Sequence, residues 1–573
     1  MQIKHLRINN FRGIKQLEWS IQSSVVCLIG PGDATKSTIL DAIEYVLSPY
    51  WNVMFEDCDF YLADRQSPIE IVITIGQVPD ELLTENKFGL FQRGWHPGEG
   101  IHDEPLDGDE PVLSVRLVVD HSLEPEWSVI NDRETEGRKI SAKDREKLRV
   151  TRLGEGVDKH LSWRRGSALL SLTNSRNSAN YSIIEASRQA QKTAKLEDVD
   201  EFVTLAQRAK DEAAKLGVKP KTDFRPALDM RAIQIGVGAV SIHDGDIPAR
   251  LMGTGSRRLV SLGLQLASVS EGAILLIDEV EHGLEPHRLR HLLYHLQNLD
   301  NSGSTVGQIF MTSHSHTTIV ELGAEKLHIV RSSGGITNIR QVRNNLQGVV
   351  RSVPEAFLGR KVIVCEGKTE YGFCRSIARH WQDRCGFQPL AYLGAGLVEG
   401  GGDSASKISL ELASLGYQTC LFIDSDKLNS LNPSIQTLRD TGVFVIHWDG
   451  TVAIEQRVAL DLPWAVLKKM LSLAVRIKDE EDINGEHSVF DKLCSSLERD
   501  RGTMGTEIDT WLNNGFSEEQ IRNAIGNSAK SKGWFKRIDH GEELGNLVAG
   551  QLETISTSDS AIKMQQLNQW IYG

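Results

Sequence analysis

The chain reads as an α/β protein built in two successive parts, and three observations predict this. A glycine-containing loop, Gly30-Pro31-Gly32-Asp33-Ala34-Thr35-Lys36-Ser37-Thr38, joins a strand-like run to a helical one. The apolar run Ile274-Leu275-Leu276-Ile277 stops at the paired acids Asp278-Glu279. Far downstream, Val362-Ile363-Val364-Cys365 and Leu421-Phe422-Ile423 also stop at acids, Glu366 and Asp424. Short apolar runs of this kind are the mark of strands buried on both faces.

The elements follow in order. Ile3-Lys4-His5-Leu6-Arg7-Ile8 alternates as a strand, Asn10-Phe11-Arg12-Gly13 turns, and strand-like segments run to Leu28. Ser37 to Leu47 has a helical pattern that ends before Pro49. Strands are expected at Ile69–Ile75 and Val112–Val119. From about 141 to 216 the pattern is polar and mostly helical, without a sustained heptad, so an inserted helical arm is expected over about 141–225. A strand at Ile233–Ile242 resumes the first domain. It is followed by a helix from about Ser256 to Val269 and strands at Ala273–Ile277 and near Gln308–Met311. After a junction at Arg340–Arg360, a second α/β unit is expected: strand Lys361–Cys365, helix Glu370–Trp381, a strand near Ala391–Leu393, helix Ser406–Leu415, and strands Thr419–Ile423 and Val443–His447. The remainder is largely helical. The domains are therefore drawn at 1–352 and 353–573.

At 573 residues the chain exceeds one compact core. Its 64 Lys and Arg against 77 Asp and Glu give a net charge of −13, so any nucleic-acid contact must use local basic surfaces. Candidates are Arg340, Arg343, Arg351, Arg360 and Lys361, or Lys530, Lys532, Lys536 and Arg537, although ordinary solvated faces explain either group better when it is taken alone. The seven cysteines lack a C-x-x-C pair, which excludes a structural zinc site or a disulfide framework by pattern. Neither an apolar signal region nor a stretch near ~20 uncharged apolar residues occurs, so a cytoplasmic protein with no membrane partner is expected.

The first loop fits G-x-x-x-x-G-K-[ST] at Gly30, Lys36 and Ser37, with Thr35 in place of the last glycine. In such a loop backbone N–H groups cradle phosphates, the lysine reaches the outer ones, and the hydroxyl holds Mg²⁺ at a helix N-terminus. Asp278 would hold the same ion through water, and Glu279 would polarise the attacking water. His314, just past a strand, would sense the terminal phosphate. Gly253-Thr254-Gly255-Ser256-Arg257-Arg258 opens a helix and resembles the signature turn of ABC-type ATPases, where one subunit closes on the nucleotide of the other. These pieces in this order, with Arg12 as a nucleotide-base contact, resemble an ABC-type head of the SMC/RecF kind, which implies a homodimer.

In the second part, Glu366 and Glu370 lie four residues apart across a strand end and a helix start. Asp424 and Asp426 are two apart beyond another strand, so they point the same way. Such carboxylates repel at neutral pH unless cations neutralise them, and one or two Mg²⁺ or Mn²⁺ ions are the natural answer. A metal pair ~3.5–4 Å apart activates water and stabilises the leaving oxygen of a phosphodiester. Lys532 is the candidate for stabilising transition-state charge, Lys536 the second choice, and Glu455 a further metal ligand. The spacing Glu-Gly-x-x-Glu followed by Asp-x-Asp resembles the Toprim domain of topoisomerases, primases and certain nucleases.

An ABC-type head followed by Toprim resembles the overcoming-lysogenization-defect (OLD) family of nucleases over nearly the whole chain. The resemblance implies ATP bound with one Mg²⁺ at Gly30, Gly32, Thr35, Lys36, Ser37, Thr38, Arg12 and Asp278, and at Thr254, Gly255 and Ser256 across a dimer. It implies DNA cleavage at Glu366, Glu370, Asp424 and Asp426, and dimerisation through the heads and the helical insertion. Antiphage defence is implied too, with a helicase-like protein or a retron reverse transcriptase and its DNA/RNA as partner. Two other readings remain open: an ATP-gated DNA clamp that does not cut, and a topoisomerase or primase. The last is disfavoured because no nucleophilic tyrosine on a strand-passage domain can be placed.

Overall fold

The computed structural model describes residues 1–50, 52–134, 136–173, 184–186, 188–190, 192–218, 221–227, 240–301, 306–426, 428, 431, 433–481, 484–499 and 504–573. The strand expected at 233–242 lies largely outside them. Two compact units alternate along the sequence. The first holds Met1–Arg12, Ser20–Val26 and Ser37–Thr312, the second Gly13–Trp19, Cys27–Lys36 and Ser313–Gly573. The contacts thus divide the main body of the chain after Thr312, earlier than the boundary drawn from the sequence.

In the first unit the amphipathic strand Gln2–Phe11 runs antiparallel to Ile69–Gly76, which runs antiparallel to Glu110–Val119. Leu6 faces Ile73 and Ile8 faces Ile71, so alternate side chains enter one core. Three further strands are parallel: Val150–Leu153, Ala273–Ile277 and Val306–Thr312. Their registers, Leu153 with Ile277 and Ile277 with Met311, bring the three C-terminal ends level. In a parallel sheet that edge is where ligands bind. Val150–Leu153 corrects the expectation of helix there: it is a short run whose pairing, rather than its polar surroundings, decides its state. Helix Asp200–Lys215 in the same insertion does form, with Phe202, Val203 and Leu205 exposed.

In the second unit, Cys27–Ile29 pairs in parallel with Leu327–Ile329, whose strand turns back antiparallel onto Ile336–Gln341. A separate parallel sheet has the order Ala395–Glu399, Lys361–Cys365, Gln418–Ile423, Phe444–His447. The strand expected near Ala391–Leu393 starts at Ala395 instead, because Pro389 to Gly394 is taken up by turns. The core stacks Phe373 against Phe422 at 6.4 Å and sets Trp448 edge-on to Phe422 at 5.3 Å. Helices Lys368–Cys385 and Ile538–Ala549 cross at glycines. A Cβ on Gly372 would lie 2.1 Å from the Ile538 carbonyl oxygen, and one on Gly545 2.0 Å from Ser376 Oγ. That close crossing fixes the start of helix Lys368–Cys385, which carries Glu370.

Candidate functional site

Asp278 follows the buried strand Ala273–Ile277 on the level edge of the first unit. Its Oδ1 accepts hydrogen bonds from Ser37 Oγ at 3.1 Å and Thr312 Oγ1 at 2.5 Å, and its Oδ2 from Arg152 Nη2 at 3.2 Å. Ser37 and Asp278 therefore meet, as a shared Mg²⁺ requires, and hard oxygen donors suit that ion. Arg152 is held in turn by Asp41, by Glu44 at 3.1 Å and by Glu155 at 2.8 Å.

Glu279 adopts φ 45°, the left-handed region, which costs a non-glycine residue about 1–3 kcal/mol. Its amide donates to Thr312 Oγ1 at 2.8 Å and its carbonyl accepts from Arg258 Nη2 at 2.7 Å. The surroundings therefore impose the conformation and leave the carboxylate half-exposed, 3.4 Å from His282. Thr254, Gly255 and Ser256 form the first turn of helix Thr254–Ala267, and Ser256 Oγ accepts from Arg288 at 3.0 Å.

Arg12 is committed elsewhere than to a nucleotide base. Its guanidinium bonds Asp59 at 2.7 Å, Asp41 and the Tyr45 hydroxyl at 3.2 Å, and lies 4.9 Å from the Phe11 ring centroid. A fork with five donors beside two carboxylates is satisfied by them, so it acts as an internal brace.

The expected phosphate-loop residues have these local contacts. Lys36, 5% exposed, folds back to donate to the carbonyls of Gly30 at 3.2 Å and Pro31 at 2.8 Å. Thr35 has φ 63°, the conformation that makes glycine usual at this position. Room for its methyl comes from Gly13, where a Cβ would stand 2.9 Å from Thr35 Cγ2. Gly32 faces open space, Thr38 lies on the first turn of helix Lys36–Leu47, and His314 is exposed.

The second acidic set lies wholly within the second unit, in a cavity of ≈ 490 Å³ lined by Glu366, Glu370, Asp424, Asp426 and Glu455 together with Lys368, Lys530 and Lys536. Because Cys365 is level with Phe422, the strand ends place Glu366 beside Asp424, whose amide donates to Glu366 Oε2 at 3.0 Å. Asp424 Oδ1 also accepts from Trp448 Nε1 at 3.1 Å and the Ile454 amide at 2.8 Å. Glu370 accepts from the Gly367 amide at 2.9 Å, and Asp426 pairs with Lys530 at 2.6 Å.

Burial, then the charges of Glu455 and Glu366, pushes the Glu370 carboxyl up to about 8. Burial and the four neighbouring carboxylates push Asp424 well above its ordinary range, and burial raises Glu455. Burial keeps the proton on Glu370 to about 8 and raises Asp424 and Glu455, so a divalent cation entering among the five carboxyls would displace protons there. Among the described residues no three His, Cys, Asp or Glu side chains already close on one point as a finished ligand set. The donors and charge fit a hard cation, and the side chains would turn to reach it.

Lys532 is the one expected residue of this group that does not line the cavity, whereas Lys530 and the exposed Lys536 do. Helical phase explains this. Gly526 packs on Gln456, next to Glu455, and Lys530 follows one turn later on the same face of helix Glu518–Lys532. Arg152, Arg258 and Thr312 were not singled out from sequence. Arg258 acts on backbone carbonyls, which leave no spacing pattern to read.

A family profile described as "AAA domain, putative AbiEii toxin, Type IV TA system" matches residues 25–321, more than half of the chain. The chain belongs to this family. Its AAA domain is an ATPase domain, in keeping with the use of ATP and Mg²⁺, and Lys36, Ser37, Asp278 and Glu279 fall inside the matched span. Two solved structures are similar to it at low identity. One is an SMC head bound to the C-winged helix domain of ScpA: TM-score 0.34, 14% identity, covering 60% of this chain and 98% of that one. The other is the SMC head domain from Thermotoga maritima: TM-score 0.30, 13% identity, covering 60% and 100%. No curated protein matches the chain. No helix among the described residues is long and apolar enough to cross a membrane.

Proposed function

We propose that the protein is a metal-dependent DNA endonuclease whose cutting is regulated by its AAA domain, with the functional boundary near residue 352. The observation that carries this reading is the cavity lined by Glu366, Glu370, Asp424, Asp426 and Glu455 together with Lys530 and Lys536. Glu366, Glu370, Asp424 and Asp426 would hold one or two Mg²⁺ or Mn²⁺ ions, with Glu455 beside them. A cation there supplies a water activated at neutral pH and neutralises the leaving oxygen. Lys530 and Lys536 would stabilise the charge on the attacked phosphate, and the bond from Trp448 Nε1 would keep Asp424 oriented. Lys36 and Ser37 of the phosphate loop would bind the ATP phosphates and Mg²⁺, Asp278 would support that ion, Glu279 would polarise the attacking water, and His314 would sense the terminal phosphate.

We further propose a homodimer through the AAA domains, assisted by the apolar residues Phe202, Val203 and Leu205 of the insertion. By its resemblance to OLD nucleases, its role would be antiphage defence. The test is plasmid nicking in Mn²⁺ or Mg²⁺, with and without ATP. Glu366→Ala and Asp424→Ala should abolish cutting in every condition, and Lys36→Ala should change only the response to ATP. A nicking rate that survives both acid substitutions sinks the reading.

The Lys530–Asp426 ion pair favours a second reading, an ATP-gated clamp whose acids are neutralised internally. A protein that retards DNA in a gel but leaves it intact in Mn²⁺ would establish that alternative.

A further inference from the structure

Arg258 is the fifth residue of helix Thr254–Ala267, which begins at the signature-like turn. A long basic side chain on a helix ordinarily reaches water, yet this one is 5% exposed. Its Nη1 donates to the His282 carbonyl at 2.5 Å, and its Nη2 to the carbonyls of Glu279 at 2.7 Å and Asp278 at 3.3 Å. One guanidinium thus grips the backbone from Asp278 to His282. Thr312 holds the same peptide from the other side, accepting from the Glu279 amide at 2.8 Å and donating to Asp278 Oδ1 at 2.5 Å. Between these two holds, Glu279 sits at φ 45°. A residue with a Cβ stays in that region only when its surroundings over-determine it.

We propose that Arg258 is a positioning residue for ATP hydrolysis: it maintains the left-handed backbone of Glu279, and so aims that carboxylate from the helix that starts at the signature-like turn. The inference rests on the reading of Glu279 as the group that polarises the attacking water. A planar fork reaching three carbonyl oxygens cannot be replaced by an ammonium, which offers a point charge on a flexible stem. Loss of the fork frees the Asp278–His282 backbone to relax toward ordinary φ values and swings the Glu279 carboxylate away, while Lys36 and Ser37 keep their own contacts.

The experiment compares ATP turnover by the full chain in Mg²⁺ for wild type, Arg258→Met, Arg258→Lys, Glu279→Gln and the double variant Arg258→Met/Glu279→Gln. Amide hydrogen exchange over residues 278–283 is followed in parallel. Arg258→Met should lower kcat at least ~10-fold, as misplacing a general base does, with KM for ATP within about threefold. Arg258→Lys should retain part of kcat. The double variant should be no slower than Glu279→Gln, because both changes disable one group. Exchange should quicken at 278–283 and stay unchanged elsewhere.

Multiplying losses in the double variant, a KM rise at constant kcat, or wild-type turnover by Arg258→Met would each overturn the proposal. If Arg258→Met does not fold, full turnover by Arg258→Lys with wild-type exchange at 278–283 overturns it equally. Wild-type turnover by Glu279→Gln would instead remove the reading of Glu279 itself, and the hold on its backbone would then have no part in hydrolysis.

Discussion

Replacing Glu370 by Gln should stabilise the metal-free protein, and by an amount that depends on pH. Glu370 is 6% exposed, and burial with the neighbouring acids lifts its carboxyl from an ordinary 4.5 to about 8. In the unfolded chain it ionises near 4.5, whereas in the native protein it keeps its proton to about 8. Between those values the native state binds more protons than the unfolded state, so stability falls as pH rises through the window and levels off above it. At ~1.4 kcal/mol per pH unit, the loss is about 3 kcal/mol at pH 7 and about 5 kcal/mol above pH 8, an upper value because the same proton also relieves Asp424.

Glutamine has the same shape, carries no charge and can still accept the Gly367 amide through its side-chain oxygen. The assay is thermal unfolding of the full chain in EDTA at pH 5, 6, 7 and 8. The wild-type transition should drop with pH, and that of Glu370→Gln should stay nearly level and lie above it at pH 8. Adding Mn²⁺ should raise and flatten the wild-type curve while moving the variant little. Parallel curves for the two proteins in EDTA would refute the account of a strained acidic cavity.

Three other outcomes follow from particular contacts. Lys530→Met should reduce Mn²⁺-dependent nicking at least ~10-fold and Lys532→Met less than about twofold, since only the first reaches the cavity; equal losses would restore Lys532 as the acting cation. Arg145 donates to the carbonyls of Ser48, Ile140 and Tyr50 and lies 3.8 Å from the Trp127 ring centroid. Arg145→Met should therefore cost about 2–4 kcal/mol in urea unfolding, and a change under about 0.5 kcal/mol would show that water replaces those bonds. Thr35→Gly relieves about 1–2 kcal/mol of left-handed strain but adds about 0.5–1 kcal/mol of unfolded-chain freedom, so a net gain of up to about 1.5 kcal/mol is expected. A loss larger than that would mean that the Thr35 hydroxyl, bonded to the Ala34 carbonyl at 2.6 Å, matters more than its backbone.

The legible parts of the chain were those governed by strand parity. Glu366, Asp424 and Asp278 each follow a run of four or more apolar residues, and a strand buried on both faces delivers its last residue to a known edge. Lys530 against Lys532 was not legible, because residues two apart on a helix face nearly opposite ways and only the packing of Gly526 on Gln456 sets the phase. Val150–Leu153 was hidden for a related reason. Four residues carry too short a period to read, and their partner Ala273–Ile277 lies more than a hundred positions away. The bracing of Asp41 and Asp59 by Arg12 was not legible either, because a turn arginine carries no spacing pattern that names its partners.

The acids of the two units solve the same electrostatic problem in opposite ways, and the contrast bears on how each works. Asp278 is answered within the protein by Arg152, Ser37 and Thr312, so its orientation exists before any ion arrives. An ion at that site meets a carboxylate already turned toward Ser37, and little reorganisation separates the free from the loaded state. The cavity around Glu370 and Asp424 gathers five carboxyls, of which Asp426 is paired with Lys530. Its carboxylates keep protons or take a cation, and the two states differ in the charge and tilt of several side chains at once. A divalent ion should therefore change the stability of the second unit far more than that of the first. Hydrogen exchange should show the difference at 361–370 and 418–426, with the strand Ala273–Ile277 nearly indifferent to Mn²⁺ in the absence of nucleotide.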